Sequence, residues 1–486
     1  VMNLPDSVRR YLDDQQMPYR LIACTPGESL VQIAAKLDIS LRQMVRIALL
    51  KDDAGLLMTI LPCNYILDFS RLCQVLQREL EPLYGPETTR FFQGRGCASG
   101  SHPPLPAVFG VAALADDSLL EDGAGEIYFD GGSGDALVGM RGSDFCKLLK
   151  PVRWERFAVS TIDLDGPAAR QQALTPHHLT SFTHRYTPSG LREGIEAITE
   201  LPAMPQTAQQ ILALRDNQRV TLQDILPIVA RDPSLAAQVV YCARSPLHGH
   251  HGAVDSLETA IGEVLGVETT LNLLLGASMG QTFQIPADGP VGLQAFWRHS
   301  VYCAALVSEL VKMLPDPITI KPGLAYLGGL LHDFGYLVLG HALPARFFVF
   351  NRFLAANHSV PPEVVERYVL GVEHWHIGAW LMQSWNMPDE VIAAVRWHHS
   401  EDCTEPHAEY ANLVLIANRL LPHIGLAEGH NNRLPALAMF TLGLTRDQAH
   451  EALARVESSM AELDTLAEAL RWPAEKVGTV ENNLVI

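Results

Sequence analysis

The first third of the chain sets short apolar runs between turn residues, whereas the remainder repeats apolar positions at helical spacing. Residues 8–16 predict a short helix, 19–23 an apolar strand-like run, and 29–37 a second helix. Apolar runs at 46–50 and 56–61 flank Asp52, Asp53, Ala54 and Gly55, the pattern of a β-hairpin. Runs at 126–130 and 136–140 flank Gly131, Gly132, Ser133 and Gly134 and predict a second hairpin. No helix start or Lys follows these glycines closely, so they read as a turn rather than a phosphate loop. Ser143 is placed to cap a helix over 145–149. Residues 151–190 are rich in Pro, Thr, His and Ser without a sustained apolar period, and read as a linker.

From about residue 191 helix follows helix. Thr221 with Asp224, and Asp255 with Glu258, carry cap signatures. Asp232 precedes Pro233, Pro361 precedes Pro362, and Pro388 opens a further helix. Gly266 is suited to end the helix begun near Asp255. The expected fold class is therefore multidomain: an N-terminal α+β domain, a mixed sheet with helices, followed by an all-α bundle. The expected boundaries are 1–150, a linker at 151–190, a helical domain at 191–425, and a helical tail at 426–486.

Composition narrows the function classes. Of 486 residues, 48% are hydrophobic and 19% charged, which excludes an intrinsically disordered chain. The net charge of −18 argues against a DNA coat or a polybasic membrane binder. Eight cysteines without a CxxC spacing fit a reducing compartment rather than a disulfide scaffold. The N-terminus shows no apolar signal segment, and no apolar run reaches about 18 residues. A cytoplasmic protein with no membrane and no DNA partner is expected.

Candidate chemistry lies in the helical half. His332 and Asp333 interrupt an apolar run, where an unpaired carboxylate would cost several kcal/mol. A divalent metal or a hydrogen-bonded network must compensate it. His299, His374 and the pair His398 and His399 lie on other predicted helices that can converge on it. Imidazoles and a carboxylate from several helices are a transition-metal donor set. HGHH (248–251) reads instead as a polar loop.

The segments LPAMP (201–205), IVARDPSL (228–235) and GLLHDFG (329–335), with 374–381 and WNMP (385–388), resemble the HDOD domain, a relative of the HD metal-dependent phosphohydrolases. The resemblance implies a helical module for signal output and partner contacts. It implies metal positions at His299, His332, Asp333, His374, His398 and His399, and aligns Asn418 with the last Asp ligand of the superfamily. It implies one or two divalent ions, Fe, Mn or similar. The chain departs from the HD-GYP phosphodiesterases and the wider HD superfamily at three places. Ala295 stands for a Glu, Tyr336 for a Lys, and the neutral Asn418 for an Asp.

Residues 5–150 resemble the YbaK/prolyl-tRNA-editing family of aminoacyl-tRNA deacylases. The resemblance places Arg46 at the position of a substrate-contacting Lys, and Asp116 at a family Asp. It aligns SHPPLP (101–106) with a pocket-shaping loop that carries glycine in the family. Arg is a planar fork rather than a point charge. The prolines oppose close backbone approach. Together these readings predict a signalling or regulatory protein. Its input domain binds a small-molecule ligand or a partner, and its non-catalytic HDOD output contacts a kinase, cyclase or regulator. The enzymatic alternatives are a metal-dependent HD-type phosphohydrolase of nucleotides or cyclic dinucleotides, and a deacylase in the N-terminal domain. A tRNA partner is not expected at a net charge of −5 over residues 1–150.

Overall fold

The computed structural model describes residues 4–121, 125–161, 202–215, 219–230, 233–244, 254, 256–280, 282–316, 318, 320–426 and 432–470. They fall into two compact units. One gathers the residues up to 161 together with Val349–Gly371, and the other the helices from 202 to Phe348 and from Val372 onward.

The first unit is built on a mixed sheet. Its strands are β1 (Arg20–Ala23), β2 (Met44–Asp52), β3 (Gly55–Pro62), β4 (Tyr65–Leu67), β5 (Glu81–Leu83), β6 (Ala112–Asp116), β7 (Glu126–Asp130), β8 (Ala136–Arg141), β9 (Arg153–Glu155) and β10 (Ala158–Ser160). The order is β1-β8-β7-β2-β3-β6-β9, with β5 also on β2, and β10 pairs separately with β4. Both predicted hairpins form. β2 and β3 run antiparallel from Val45↔Pro62 to Asp52↔Gly55, and β7 pairs antiparallel with β8. Gly55 supplies a φ of 118° at the first turn, open to glycine and strained for other residues. β2 is buried from Met44 to Leu50 because it lies inside the sheet with both faces covered.

Among the described residues up to 161 the helices of this unit are α1 (Asp6–Asp14), α2 (Leu30–Leu37), α3 (Phe69–Leu76), α4 (Pro86–Gln93), α5 (Pro106–Phe109) and α6 (Gly142–Leu148). Val8 and Leu12 of α1 enter the same core as Ile47, Ile60, Phe129 and Phe145. Two boundaries differ from expectation. α6 starts behind Arg141, so Ser143 lies inside the helix and does not cap it. β9 and β10 fall within the expected linker, because Arg153–Glu155 continues the sheet beside β6. The rest of that linker lies outside the described residues.

Among the described residues the second unit is helical. It contains α7 (Gln206–Arg215), α8 (Leu222–Val229), α9 (Pro233–Ala243), α10 (Gly266–Gly280), α11 (Leu293–Val311), α12 (Pro322–Leu331) and α13 (Phe334–Ala342). α14 (Pro344–Ala356) begins in this unit and ends in the first, to which α15 (Pro362–Val369) belongs. α16 (His374–Ser384), α17 (Asp389–Trp397), α18 (Ala408–Leu420), α19 (Ala436–Thr441), α20 (Arg446–Glu457) and α21 (Met460–Leu470) complete it. Thr221 N–H donates to Asp224 Oδ2 at 2.8 Å, as the cap signature predicts. Ser256 caps the segment starting at Leu257. Asp232, Asp255 and the HGHH run lie outside the described residues.

Among the described residues one helical run, Leu257–Gly280, is long and apolar enough by length and composition to cross a membrane. It breaks at Gly266, where φ is 76°. The C-terminal part, α10, is buried from Thr270 to Gly280, which explains an apolar composition on every face.

Candidate metal centre

Five helices of the second unit bring the predicted side chains to one place. α11 carries His299. His332 ends α12, and Asp333 directly precedes α13. His374 opens α16, while His398 and His399 follow α17. Helix ends are used for a reason. The last carbonyls of a helix lack intrahelical donors. His332 Nδ1 donates to Gly329 C=O and His398 Nδ1 to Val395 C=O, each at 2.8 Å. A carbonyl only accepts, so each Nδ1 carries the proton and each Nε2 turns inward as a potential ligand.

The inward atoms form two groups of donors among the described residues: His299, His332 and Asp333, and His374, His398 and His399. His299 Nε2 is 3.2 Å from His332 Nε2, and His374 Nε2 is 3.2 Å from His398 Nε2. Two nitrogens bound to one ion at about 2.1 Å stand about 3.0 Å apart in octahedral and about 3.4 Å in tetrahedral geometry. Both pairs therefore have ligand spacing. Asp333 serves both. Its Oδ2 lies 3.2 Å from His332 and 3.6 Å from His299, while its Oδ1 lies 3.0 Å from His374 and 3.6 Å from His398. Each imidazole pair thus has one oxygen of the same carboxylate.

The electrostatics agree. Burial holds His299 and His398 down to about 4, against the pull of Asp333, so both remain neutral donors. Burial also opposes protonation of His332, but Asp333 outweighs it and holds the ring well above the ordinary histidine value. Asp333 itself stays ionised. Burial opposes its charge, yet His332 and the hydrogen bonds from His374 and His398 pull its pKa well below the carboxylate range.

Packing sets the His374 ring. Tyr336 stacks on it with centroids 4.2 Å apart and planes at 23°. A Cβ added to Gly335 would stand 1.8 Å from His374 C=O, so only glycine lets α13 approach α16 this closely. The glycine and aromatic beside His332 and Asp333 were visible in the sequence, but their contact with α16 was not. His399 is exposed beside Trp375, with ring centroids 4.7 Å apart. Asn418 lies on α18, which packs on α11, α12 and α17. Its Oδ1 is buried with no hydrogen-bond partner. A divalent ion fits this donor set, two imidazole pairs at ligand spacing that share one carboxylate.

The two candidate residues of the first unit sit elsewhere in function. Arg46 on β2 is only 3% exposed. It donates to Tyr65 C=O at 2.9 Å, Asn357 Oδ1 at 2.7 Å and Ala356 C=O at 3.4 Å. Asp116 is fully buried. Its carboxylate accepts the backbone N–H of Ser118, Phe157 and Ala158 at 2.9, 2.8 and 2.7 Å, closing β6 onto β10. The structure gives both residues internal partners where the sequence predicted ligand contacts. A turn whose amides converge on one carboxylate explains why Asp stands at 116.

The description "HDOD domain" matches residues 201–401, and "Aminoacyl-tRNA editing domain" matches residues 24–148. A crystal structure of a candidate signal transduction protein from Marinobacter aquaeolei VT8 is 30% identical, covering 96% of this chain and all of that one, with a TM-score of 0.80. An HDOD domain protein of unknown function from Geobacter sulfurreducens is 20% identical over 61% of this chain and 99% of its own, with a TM-score of 0.47. An uncharacterized protein of Treponema pallidum (strain Nichols) is 28% identical over 221 residues, 45% of this chain. The chain matches only 41% of that relative's length. The chain belongs to the family of HDOD-domain proteins that carry an N-terminal aminoacyl-tRNA-editing-type domain.

Proposed function

We propose that this chain is a regulatory protein whose HDOD unit holds a pair of divalent ions as a structural centre and presents its helices to a signalling partner. The observation that carries the reading is Asp333, one carboxylate facing two imidazole pairs whose nitrogens already stand 3.2 Å apart. His299 and His332 would hold one ion, and His374 and His398 the other, with Asp333 between them. His399 and Asn418 are the remaining donors. When bound, such ions supply Lewis acidity and an activated water.

The chain's own residues favour holding over turnover. Tyr336 places a neutral ring against His374 where the enzyme resemblance implies a lysine, and Asn418 brings an amide in place of a carboxylate. Phosphoryl chemistry needs cationic stabilisation of the phosphate oxygens, which neither residue supplies. The HDOD match and the similarity to a candidate signal transduction protein support a regulatory role. A kinase, cyclase or regulator is the proposed reader of the helical surface.

The test is reconstitution of the full chain with Mn or Fe, followed by assay against bis-p-nitrophenyl phosphate and a cyclic dinucleotide. Bound metal with no turnover is expected. Turnover that disappears in Asp333→Ala would replace this reading with the phosphohydrolase.

A further inference from the structure

The first unit contains a second built contact, at the place where the editing resemblance implies a substrate. β4 pairs with β10 on one side. On Leu67 itself, both backbone groups go to one side chain. Leu67 N–H donates to Asn357 Oδ1 at 2.7 Å, and Asn357 Nδ2 donates to Leu67 C=O at 3.1 Å. A carboxamide that gives and takes in this way replaces the peptide group of a neighbouring strand. Asn357 follows the last residue of α14, and its Nδ2 also donates to Phe353 C=O at 2.9 Å, which ties the amide to its own helix end.

Arg46 completes the contact. Its guanidinium reaches Ala356 C=O, the final residue of α14, and shares Asn357 Oδ1 with Leu67. A helix C-terminus gathers unpaired carbonyls and partial negative charge, so a buried cation there is stabilising. Around it, Tyr368 donates to Asp68 at 2.9 Å, Arg352 lies 4.8 Å over the Phe69 ring, and His358 meets His102 with centroids 6.0 Å apart. His102 belongs to the 101–106 loop.

We propose that Ala356–His358 is a resident occupant of the N-terminal unit, recognised as an external ligand would be: Arg46 holds its carbonyl end, the edge of β4 reads its carboxamide, and the 101–106 loop touches its imidazole. The Arg46 cation is thereby committed to the chain's own helix terminus. The segment Val349–Gly371 lies inside the HDOD match yet folds with the sheet unit, so a place where the editing resemblance implies a substrate contact is taken by the chain's own sequence. This inference stands apart from the metal reading, because every residue it uses lies in the first unit.

The experiment is hydrogen–deuterium exchange of the full chain, comparing wild type with Asn357→Ala and Arg46→Ala. Exchange in peptides covering 65–69 and 353–371 is expected to accelerate about tenfold in both variants, with peptide 126–141 unchanged as the internal control. Unchanged protection at 65–69 and 353–371 would overturn the proposal. If either alanine variant fails to fold, Asn357→Asp carries the test. It keeps both acceptor contacts, loses the donation to Leu67 C=O and Phe353 C=O, and turns a carboxylate oxygen toward those carbonyls. Faster exchange at 353–371 alone supports the assignment, and wild-type exchange there overturns it. Metal content should be the same in all of these proteins.

Discussion

Gly335→Ala is the sharpest small perturbation of the centre. It adds one methyl group and touches no ligand atom. The new Cβ would lie 1.8 Å from His374 C=O, against an ordinary contact of 3.4 Å or more. The backbones of α13 and α16 must therefore separate by about 1.6 Å, since a carbonyl at a helix start cannot rotate aside. His374 moves with α16. Its Nε2 now stands 3.0 Å from Asp333 and 3.2 Å from His398, and a shift of that size breaks ligand spacing. Overpacking of this kind costs about 1–3 kcal/mol, or about 2–12 °C in Tm for a unit of this size. The assay pairs metal content by mass spectrometry with thermal unfolding. Gly262→Ala is the control, because its Cβ would meet only Leu222 at 3.6 Å. Metal content is expected to fall several-fold in Gly335→Ala and to hold in Gly262→Ala. Wild-type metal content and Tm in Gly335→Ala would refute the packing argument.

Three further outcomes follow from the same geometry. Tyr336→Leu removes the ring stacked on His374 and should weaken metal binding about tenfold, read by competition with a chelator; unchanged affinity would deny Tyr336 a role in orienting that ligand. His332 carries a proton in the metal-free protein at neutral pH because Asp333 raises its pKa, and Nε2 must lose it to ligate. Metal uptake at pH 7 should therefore release about one proton, and affinity should fall with decreasing pH; calorimetry in buffers of different ionisation enthalpy that finds no release would contradict the His332–Asp333 ion pair. Asp116→Ala strands three buried N–H groups and should cost the first unit about 3 kcal/mol of stability without altering metal content, a loss that denaturant unfolding would reveal; full stability would remove its structural role.

The hairpins and the convergence of the histidines on Asp333 were legible because local signals determine them. Asp52 to Gly55 encodes a tight turn, and a charged His-Asp pair inside an apolar helix run demands partners from elsewhere in the chain. The internal partners of Asp116 and Arg46 are hidden in the sequence for a shared reason. A buried carboxylate or guanidinium looks the same in sequence whether a ligand or the backbone satisfies it, and only the fold shows Phe157, Ala158 and Asn357 arriving from 41 to 311 residues away. Asn357 left no signal because its work is done at a helix end, where Asn is ordinary. Ser143 failed as a cap because Arg141 already has extended backbone, and the helix starts one turn early.

Elemental analysis of the full chain after metal reconstitution, beside the His332→Ala/Asp333→Ala double variant, tests the central claim most directly. About two equivalents of a transition metal on the wild-type protein, lost in the double variant, is the predicted result. A wild-type protein that takes up no Fe, Mn or Zn, or a double variant that binds as much as wild type, would contradict it.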